Sequence, residues 1–389
     1  MKKFKKPFWL IYYPAYFILR LYYGITYGIK IDRSGIKDMK GASIVLCPHI
    51  CDNDHFLTAF GLFPHRPTYV MSEHFMGFAK LRPVLKVMHV ITKKMFCADV
   101  GTIMNIRRAL KCGNTIVLFP EGRLTWCGHS LSVTPGTAEL VKNCGVDVYT
   151  VTGNGAYLTF PKWRKSARKG KIKITTGKLF SADEIKKLSI DDIRTRIEEA
   201  MKHDDEQAMA GVKYRCKDMS AGLDGIIYKC PQCMSEFKIK TEHGHITCTQ
   251  CGADAVLDNQ YVIHGGKFTR INDWCDWQKR MLDPENDVLE SEMIFGTVNQ
   301  QGNIDHNAGK GKARLDKNGF SFEGEIFGEN VEAFYPIDKL GGFPITVGSA
   351  FDVYYKNKLV YLHPQPDMRT AVKWVTLLDR IHENGNKND

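Results

Sequence analysis

The stretch of residues 46–56, LCPHICDNDHF, places two histidines among acids and an amide directly after an aliphatic run. Because an imidazole exchanges a proton near neutral pH, a histidine oriented by a carboxylate can act as a general base toward a hydroxyl group. His49 and Asp54 are five residues apart, so on one ideal helix their side chains would point about 140° away from each other. The pair can therefore meet only where a loop joins a helix.

The flanking residues predict such a junction. Residues 42–47 are apolar and are followed by Pro48, a pattern typical of a buried strand that ends there. Asp54 then opens an apolar helical pattern, as acidic residues often do at helix starts. The sequence predicts a strand, a short loop and a helix, with His49 and Asp54 close together where the loop ends. An incidental polar pair in a surface turn is the alternative.

A second group of reactive residue types follows a later aliphatic run. Its members are Phe119, Pro120, Glu121, Gly122 and Arg123, and they come directly after the apolar residues 116–118. Proline and glycine favour a turn at this point, and binding sites in α/β sheets lie at the carboxyl ends of strands. An arginine can bind phosphate through two hydrogen bonds, and turn amides near the glycine can add donors.

Short aliphatic runs alternate with helical patterns through this half of the chain, which predicts an α/β fold. The predicted strands lie at residues 42–46, 67–71, 92–96, 114–119 and 146–157, and the predicted helices at 54–63, 75–89, 102–110, 134–142 and 189–203. Ser189 and Asp192 have the spacing of a helix cap at the start of the last helix. This arrangement brings both reactive groups to the ends of strands.

The order and spacing of these groups resemble the 1-acylglycerol-3-phosphate (lysophosphatidic acid) acyltransferase family. The resemblance covers about residues 8–205 and depends on His49 and Asp54, on residues 119–123 and on an apolar strand near residues 148–153. It implies that His49 is the general base, that Asp54 orients its imidazole and that residues 119–123 hold the phosphate of a lysophospholipid acceptor. The implied donor is an acyl thioester of coenzyme A or acyl carrier protein.

The sequence also departs from the family pattern. Pro48 precedes the histidine where the family has asparagine, and Cys51 follows it where the family has serine. The middle block of the family ends in a phosphate-binding arginine, whereas residues 97–99 are Cys-Ala-Asp here, with Lys93 and Lys94 nearby as candidate substitutes. These departures concern the identity of the acceptor more than the type of reaction.

The first 30 residues predict a membrane-associating segment. Four lysines precede an apolar, tyrosine-rich stretch that Pro14 and Arg20 interrupt, a pattern that favours a helix lying in the interface over one that crosses the membrane. A buried helix of the globular domain is the alternative, and the absence of a small-residue cleavage site argues against a secretory signal peptide. The net charge of +11 and the pI of about 9.0 favour an anionic partner. We therefore expect the protein at the cytoplasmic face of a membrane.

Two Cys-x-x-Cys pairs indicate a metal site. Cys230, Cys233, Cys248 and Cys251 bracket a strand-like stretch, which is the pattern of a zinc ribbon with a structural zinc ion. A redox-active dithiol or a disulfide pair are the alternatives. The other eight cysteines are scattered, which favours a reducing compartment.

The expected organisation is a membrane-associating segment at 1–30, an acyltransferase domain at 31–205, a linker at 206–227, the ribbon at 228–257 and a β-rich domain at 285–385. The last domain has a hairpin turn at 318–319, a second hairpin across 356–358 and a final helix, so it resembles the pleckstrin-homology-like roll. The apolar face of that helix comprises Ala371, Trp374, Leu377, Leu378 and Ile381.

The sequence leaves two functions open. One is O-acyl transfer to a lysophospholipid, and the other is a catalytically inactive protein that binds lipid or nucleic acid through the ribbon and the basic surface. The basic run at residues 162–178 fits membrane headgroups better than nucleic acid, because it follows a predicted core strand and more often such a run is a solvated face. Nucleic acid is therefore the less favoured partner.

Overall fold

The computed structural model describes residues 4–94, 99–299, 301–356 and 358–388. The chain divides into two compact units, one comprising the residues up to Pro161 together with Ala167–Arg215, the other comprising Lys162–Ser166 and the residues from Cys216 onward. The first two lysines of the predicted anchor, Met95 and Phe96 of the third predicted strand, and Cys97 and Ala98 lie outside the described residues.

The first unit is built on a seven-stranded mixed sheet. Its strands are β1 Ile29–Asp32, β2 Ser43–Leu46, β3 Thr68–Ser72, β4 Ile91–Lys93, β5 Thr115–Leu118, β6 Asp147–Asn154 and β7 Ile172–Phe180. They are arranged in the order β1-β7-β6-β2-β5-β3-β4. Only the β6/β7 pair is antiparallel among the pairs that the described residues form. The two central strands β2 and β5 are parallel and buried along their whole length, as expected for strands covered on both faces.

Nine helices belong to the described part of this unit. They are α1 Trp9–Tyr27, α2 Asp54–Leu62, α3 Arg82–Val87, α4 Val100–Lys111, α5 Thr137–Cys144, α6 Ala156–Thr159, α7 Ala182–Lys187, α8 Ile190–Met201 and α9 Asp205–Ala208. Apolar side chains of α4, α5 and α8 form one core with the central strands. The predicted α/β fold is thus present, and Ser189 caps α8 as expected, with its hydroxyl accepting the Asp192 N–H at 3.0 Å.

The predicted helix at residues 75–89 is wrong in extent. The structure has a 3₁₀ turn at Glu73–Gly77 and a separate short helix, α3. Pro83 lies in the first turn of α3, where its missing N–H has no cost, whereas in the interior of a longer helix it would remove a hydrogen bond. The proline therefore marks a helix start within the predicted element.

Two neighbouring strands at one side of the sheet, the edge strand β1 and the adjacent β7, were not predicted. Strand β7 begins within the basic run at 162–178, where buried Ile172 and Ile174 alternate with the exposed Lys173. The later part of this basic run therefore forms a strand with its lysines on one face, and the run is not a continuous charged surface. The lysines had obscured the period of two that marks a half-buried strand.

Helix α1 is buried along one face only. Tyr12, Tyr16, Tyr23 and Tyr27 pack into the unit, and Pro14 lies inside the helix. The opposite face carries large apolar side chains in solvent: Trp9, Leu10, Ile11, Phe17, Ile18, Leu21, Tyr22 and Ile25. Among the described residues, no helix has both the length and the hydropathy needed to cross a membrane.

The described residues of the second unit form two antiparallel sheets and two α-helices. The small sheet, with strand order β11-β10-β9-β8, consists of β8 Ile239–Glu242, β9 His245–Cys248, β10 Asp254–Leu257 and β11 Ile263–His264, and helix α10 spans Ile271–Arg280. The large sheet consists of β12 Leu289–Val298, β13 Ile304–Asp316, β14 Gly319–Ile326, β15 Glu329–Pro336, β16 Ile345–Thr346, β17 Ala350–Tyr355 and β18 Lys358–Pro364, with the final helix α11 at Ala371–Asn388. Its order is β15-β14-β13-β12-β18-β17-β16.

The β-rich region ending in a helix is present, and all five predicted apolar residues of α11 are buried. The first hairpin is one residue off its predicted position. Asp316 pairs with Gly319, so the loop is Lys317 and Asn318, and the Asp316 carboxylate accepts the Asn318 N–H at 2.9 Å. In the second hairpin Lys358 already belongs to β18 and pairs with Tyr355, while Asn357 is outside the described residues.

The residues expected to form a linker, 206–227, contain the boundary between the two units, which falls after Arg215. Tyr214 on the first side and Leu223, Ile226 and Ile227 on the second are almost completely buried. This stretch therefore packs into the units on both sides of the boundary.

Candidate active site

Two neighbouring parallel strands bring the two reactive groups together. Leu46 at the end of β2 pairs with Leu118 at the end of β5, and the Cys47 N–H continues the ladder to the Leu118 carbonyl at 3.1 Å. His49 and Phe119 thus follow the same edge of the sheet, and their rings stack with centroids 4.5 Å apart. The predicted position of both groups at strand ends is confirmed, and the structure shows that these two strands are neighbours.

The histidine and the aspartate form a hydrogen-bonded pair. His49 Nδ1 lies 2.8 Å from Asp54 Oδ2, with His49 in the loop and Asp54 in the first turn of α2. The His49 side chain is 27% exposed and that of Asp54 is 6% exposed, so the imidazole alone reaches solvent. A carboxylate can only accept, so Nδ1 carries the proton and the lone pair is on Nε2. In the described part of the chain Nε2 has no hydrogen-bond partner.

The loop between the strand and the helix wraps around the Asp54 carboxylate. Oδ2 also accepts the N–H groups of Ile50 at 2.7 Å and Cys51 at 3.0 Å, and the Cys51 thiol donates to Oδ1 at 3.2 Å. Burial, followed by the Asp54 charge, raises the pKa of the Cys51 thiol well above its usual range. Cys51 is therefore a buried neutral donor that fixes the carboxylate, which explains how a thiol can replace a hydroxyl at this position.

Glu121 points inward from the second group. It is 4% exposed, and its carboxylate accepts the His49 N–H at 3.3 Å and the Leu131 N–H at 3.0 Å. Burial raises the pKa of Glu121 to about 7, although these two donors oppose the shift. The side chain that we grouped with the acceptor-binding residues thus accepts a hydrogen bond from the main chain of His49. Pro120 is buried as well, while Phe119, Gly122 and Arg123 are partly exposed.

The turn that carries Arg123 has a defined shape. Gly122 has φ +72°, and its N–H donates to the Phe119 carbonyl at 3.1 Å. A side chain at that φ would be strained, and its Cβ would lie 3.0 Å from Thr134 Cγ2. The Gly122 amide is therefore engaged within the turn.

Asp99 has a structural role at the start of α4. Its carboxylate caps α4 by accepting the Thr102 N–H at 3.0 Å, and it also accepts the Lys94 N–H at 3.0 Å. These donors lower the pKa of Asp99. The acid at this position thus stabilises a helix start where the resemblance would lead one to expect a phosphate-binding cation.

The four paired cysteines converge in the second unit. The Sγ atoms of Cys230, Cys233, Cys248 and Cys251 all lie within 4.8 Å of one another, so the cluster could hold a metal ion. The Cys230–Cys251 and Cys233–Cys248 separations are both 3.8 Å. A tetrahedral zinc ion with Zn–S bonds of about 2.3 Å requires sulfur atoms about 3.8 Å apart. The donor set therefore fits zinc.

Sequence reasoning missed a second buried histidine–aspartate pair in the first unit. His203 Nε2 lies 2.8 Å from Asp205 Oδ1, and the two side chains are 2% and 0% exposed. The two residues are close together in the sequence, but nothing in their pattern shows that they fold against the loop after Glu121. A long polar segment beyond a helix gives no sign of burial.

Comparison with known proteins gives little beyond this geometry. No family model matches the chain. No curated protein matches it either. Among solved structures, it is similar to the 1-acyl-sn-glycerophosphate (LPA) acyltransferase PlsC from Thermotoga maritima, at 17% identity over 48% of this chain and 74% of that one, with a TM-score of 0.41. A similarity of this size assigns no function.

Proposed function

We propose that the first unit is an O-acyltransferase that moves a fatty acyl group from a thioester to the hydroxyl of a lysophospholipid. The observation that carries the proposal is the 2.8 Å contact between His49 Nδ1 and Asp54 Oδ2, which leaves Nε2 as a basic nitrogen on a partly exposed ring. A carboxylate that is fixed by the loop and directed at a partly exposed imidazole favours base catalysis over a purely lipid-binding or nucleic-acid-binding role. The acceptor that we propose first is 1-acylglycerol 3-phosphate.

The reaction needs only one base. His49 Nε2 takes the proton of the acceptor hydroxyl as its oxygen attacks the thioester carbonyl, and Asp54 stabilises the imidazolium that forms. The carbon–sulfur bond then breaks, and the leaving thiolate takes the proton back from the imidazolium. The acyl group never bonds to the protein. The buried Cys51 thiol is accordingly unsuited to be an acyl carrier.

Release of free thiol tests the reaction class. With purified protein and an acyl-coenzyme A or acyl carrier protein thioester, we expect thiol release that depends on added lysophospholipid, followed with a thiol-reactive dye. Release at the same rate without acceptor would indicate a thioesterase, and no release with either donor would contradict the proposal.

Arg123 is the residue that we propose for the acceptor phosphate. It is partly exposed and follows the rigid Gly122 turn, one strand away from His49. Guanidinium groups bind phosphate through two charge-assisted hydrogen bonds. Binding of the acceptor phosphate by Arg123 would set the distance between that phosphate and the hydroxyl that gives its proton to His49.

Removal of this side chain should affect acceptor binding selectively. We expect Arg123→Ala to raise KM for lysophosphatidate by about 10- to 150-fold, the equivalent of about 1.5–3 kcal/mol, with KM for the acyl donor unchanged. Arg194→Ala, which removes an exposed arginine paired with Asp191 and Glu139 on α8 and α5, is the control and should change neither constant. An equal loss with a phosphate-free acceptor would mean that Arg123 is structural.

For the second unit we propose a zinc ribbon with one structural zinc ion. Four thiolates fill a tetrahedral site, so the ion would lack an open position for a substrate. Ser235 Oγ lies 3.0 Å from Cys233 Sγ and 3.5 Å from Cys248 Sγ and would support the ligands from outside. The metal would stabilise the ribbon and take no part in acyl transfer.

We further propose that α1 lies in the surface of an anionic membrane at its cytoplasmic face. Ile18, Leu21 and Ile25 are 69%, 65% and 77% exposed and are spaced along one side of the helix, and Lys5 and Lys6 are exposed just before it. An apolar helical face next to lysines binds acidic lipid headgroups and inserts between them. Such a position would supply the site with lipid acceptors.

Charged substitutions on this face should release the protein from lipid. We expect Ile18→Asp combined with Leu21→Asp to reduce co-sedimentation with phosphatidylglycerol-containing vesicles at least tenfold, because two apolar side chains contribute about 3 kcal/mol or more on insertion. Ile190→Asp, at an apolar position on α8 that is 38% exposed, should bind vesicles like the wild type. Equal binding by all three proteins would contradict the proposed role of α1.

A further inference from the structure

Residues 73–90 of the first unit, which we call the α3 segment, are rich in apolar side chains but are not buried. The segment comprises the 3₁₀ turn Glu73–Gly77, helix α3 and their flanking residues, all of which are described, and none of these residues is buried. By contrast, α2, which follows the preceding strand, buries six of its nine residues. Phe75, Leu81 and Val84 are 39%, 43% and 55% exposed. Because a helix with such side chains normally packs an apolar face against a neighbour, the exposed face indicates a partner outside the described residues.

The charge of the α3 segment is complementary to acidic lipid. Lys80, Arg82 and Lys86 are exposed, and Glu73 is the only acid in the segment. Cations beside exposed apolar side chains are typical of a surface that binds acidic headgroups and inserts its apolar side chains between them. A two-fold contact between two copies of the segment would instead bring these cations together, because such an interface uses the same patch on both copies. A lipid bilayer therefore fits the segment better than a second copy of the chain does.

The two ends of the α3 segment connect α1 with the strands that carry the candidate active site. Near its end, the Val87 carbonyl accepts the N–H of Phe8, the residue just before α1, at 3.4 Å. The segment begins directly after β3, which is parallel to β5 and pairs with it through Tyr69 and Val117. It therefore leaves the sheet at the same edge as Phe119, which follows β5. The exposed apolar face of α1 and that of the α3 segment thus belong to neighbouring elements of one unit.

We propose that the α3 segment is a second membrane-binding surface, whose three cations bind acidic lipid headgroups while its exposed apolar side chains insert into the bilayer. A single interfacial helix such as α1 leaves the unit free to rotate about the helix axis. A second contact beside α1 removes that freedom and fixes which edge of the sheet faces the lipid. The consequence for the supply of acceptor to His49 rests on the proposed function, but the membrane contact itself does not.

Amide hydrogen exchange on the full-length protein locates the contact without any substitution. With phosphatidylglycerol-containing vesicles, we expect the amides of residues 73–90 to exchange more slowly than in the free protein, and residues 190–201 of α8 to exchange at an unchanged rate. Vesicles of phosphatidylcholine alone should protect residues 73–90 less, because the cations then lack acidic headgroups. Unchanged exchange of residues 73–90 with vesicles would overturn the proposal. Protection that depends on protein concentration and not on vesicles would also overturn it, since a second copy would then cover the segment.

Leu81→Asp combined with Val84→Asp tests the same surface by substitution. Leu81 is the N-cap residue of α3 and Val84 lies in its first turn, where aspartate stabilises a helix, so the fold should be retained. We expect co-sedimentation with phosphatidylglycerol-containing vesicles to fall by about tenfold or more. The control is Ile190→Asp combined with Val288→Asp, which adds the same charge at apolar positions that are 38% and 45% exposed and should bind like the wild type. Equal binding by the two double variants would contradict the proposal.

Acyl transfer separates this inference from the proposed function. Leu81→Asp with Val84→Asp should raise KM for lysophosphatidate carried in vesicles in proportion to the lost binding, with KM for a short-chain, water-soluble acceptor unchanged. An equal rise for both acceptors would mean that the segment shapes the site itself and would overturn the inference. If the wild-type protein transfers no acyl group, the proposed function is wrong, and hydrogen exchange still decides whether residues 73–90 contact lipid. If Ile18→Asp with Leu21→Asp abolishes vesicle binding but the α3 double variant binds normally, only the inference about the α3 segment is wrong.

Discussion

His49→Ala should reduce acyl transfer by about 10²-fold or more while leaving the fold intact. The side chain is partly exposed and its only described polar contact from the ring is the one to Asp54, so its removal leaves the loop hydrogen bonds to Asp54 in place. Acceptor and donor KM values should change little, because the imidazole takes part in proton transfer during the chemical step and not in substrate binding. Initial rates and a circular dichroism melting curve on the same preparation provide the measurement.

Asp54 offers the matched comparison. In Asp54→Asn the amide oxygen can replace Oδ2 as the acceptor, but the neutral side chain cannot stabilise the imidazolium, so we expect a loss on the order of 10²–10⁴-fold. Asp52→Asn, at a neighbouring exposed acid, should retain nearly full activity. If Asp52→Asn is the more damaging change, Asp52 and not Asp54 assists the base.

Loss of the metal should unfold the small sheet of the second unit. Purified protein should contain about one zinc per chain, and both chelation and Cys233→Ser should remove it, because structural zinc supplies most of the folding free energy of small ribbons. The effect should spread to the start of α11. There the Arg369 guanidinium donates to the carbonyls of Phe237 and Ile239, and Lys373 pairs with Glu236 at 2.6 Å. Limited proteolysis should show new cleavage near both segments.

Cys216→Ser is the control for this experiment. Cys216 belongs to the same unit but lies outside the cluster, and its thiol donates to the Asp218 carbonyl at 3.2 Å. It should retain the zinc and the protease resistance of the wild type. Less than about half an equivalent of zinc in the wild-type protein, with Cys233→Ser equally resistant, would contradict a structural metal site.

Features that depend on neighbouring residues could be predicted from the sequence. The end of β2 shortly before Pro48, the start of α2 at Asp54 and the Ser189 cap follow from local propensity and hydrogen bonding. Strands β1 and β7 could not be recognised, because exposed lysines hide their alternation and only long-range pairing makes them strands. The predicted length of the helix that contains α3 was wrong for a local reason. The pattern is helical throughout, but one proline starts a separate short helix within it.

The candidate site also has a part that could be predicted from the sequence and a part that could not. The meeting of His49, Asp54 and Phe119 follows from strand ends that lie side by side, which the α/β pattern predicts. The inward orientation of Glu121 and the hydrogen bonds between Ser130 and His203 depend on how residues 121–131 fold. A polar loop has no periodicity from which that path could be derived.

The central claim is that this chain transfers an acyl group with His49 as the base. The most direct test is mass-spectrometric detection of the diacyl product formed from isotope-labelled acyl thioester and 1-acylglycerol 3-phosphate, with equal amounts of purified wild type and His49→Ala side by side. We expect labelled phosphatidic acid with the wild type and at least 10²-fold less with His49→Ala. Equal product from the two proteins would contradict the role of His49, and no product from the wild type with either donor or any lysophospholipid acceptor would contradict the acyltransferase assignment itself.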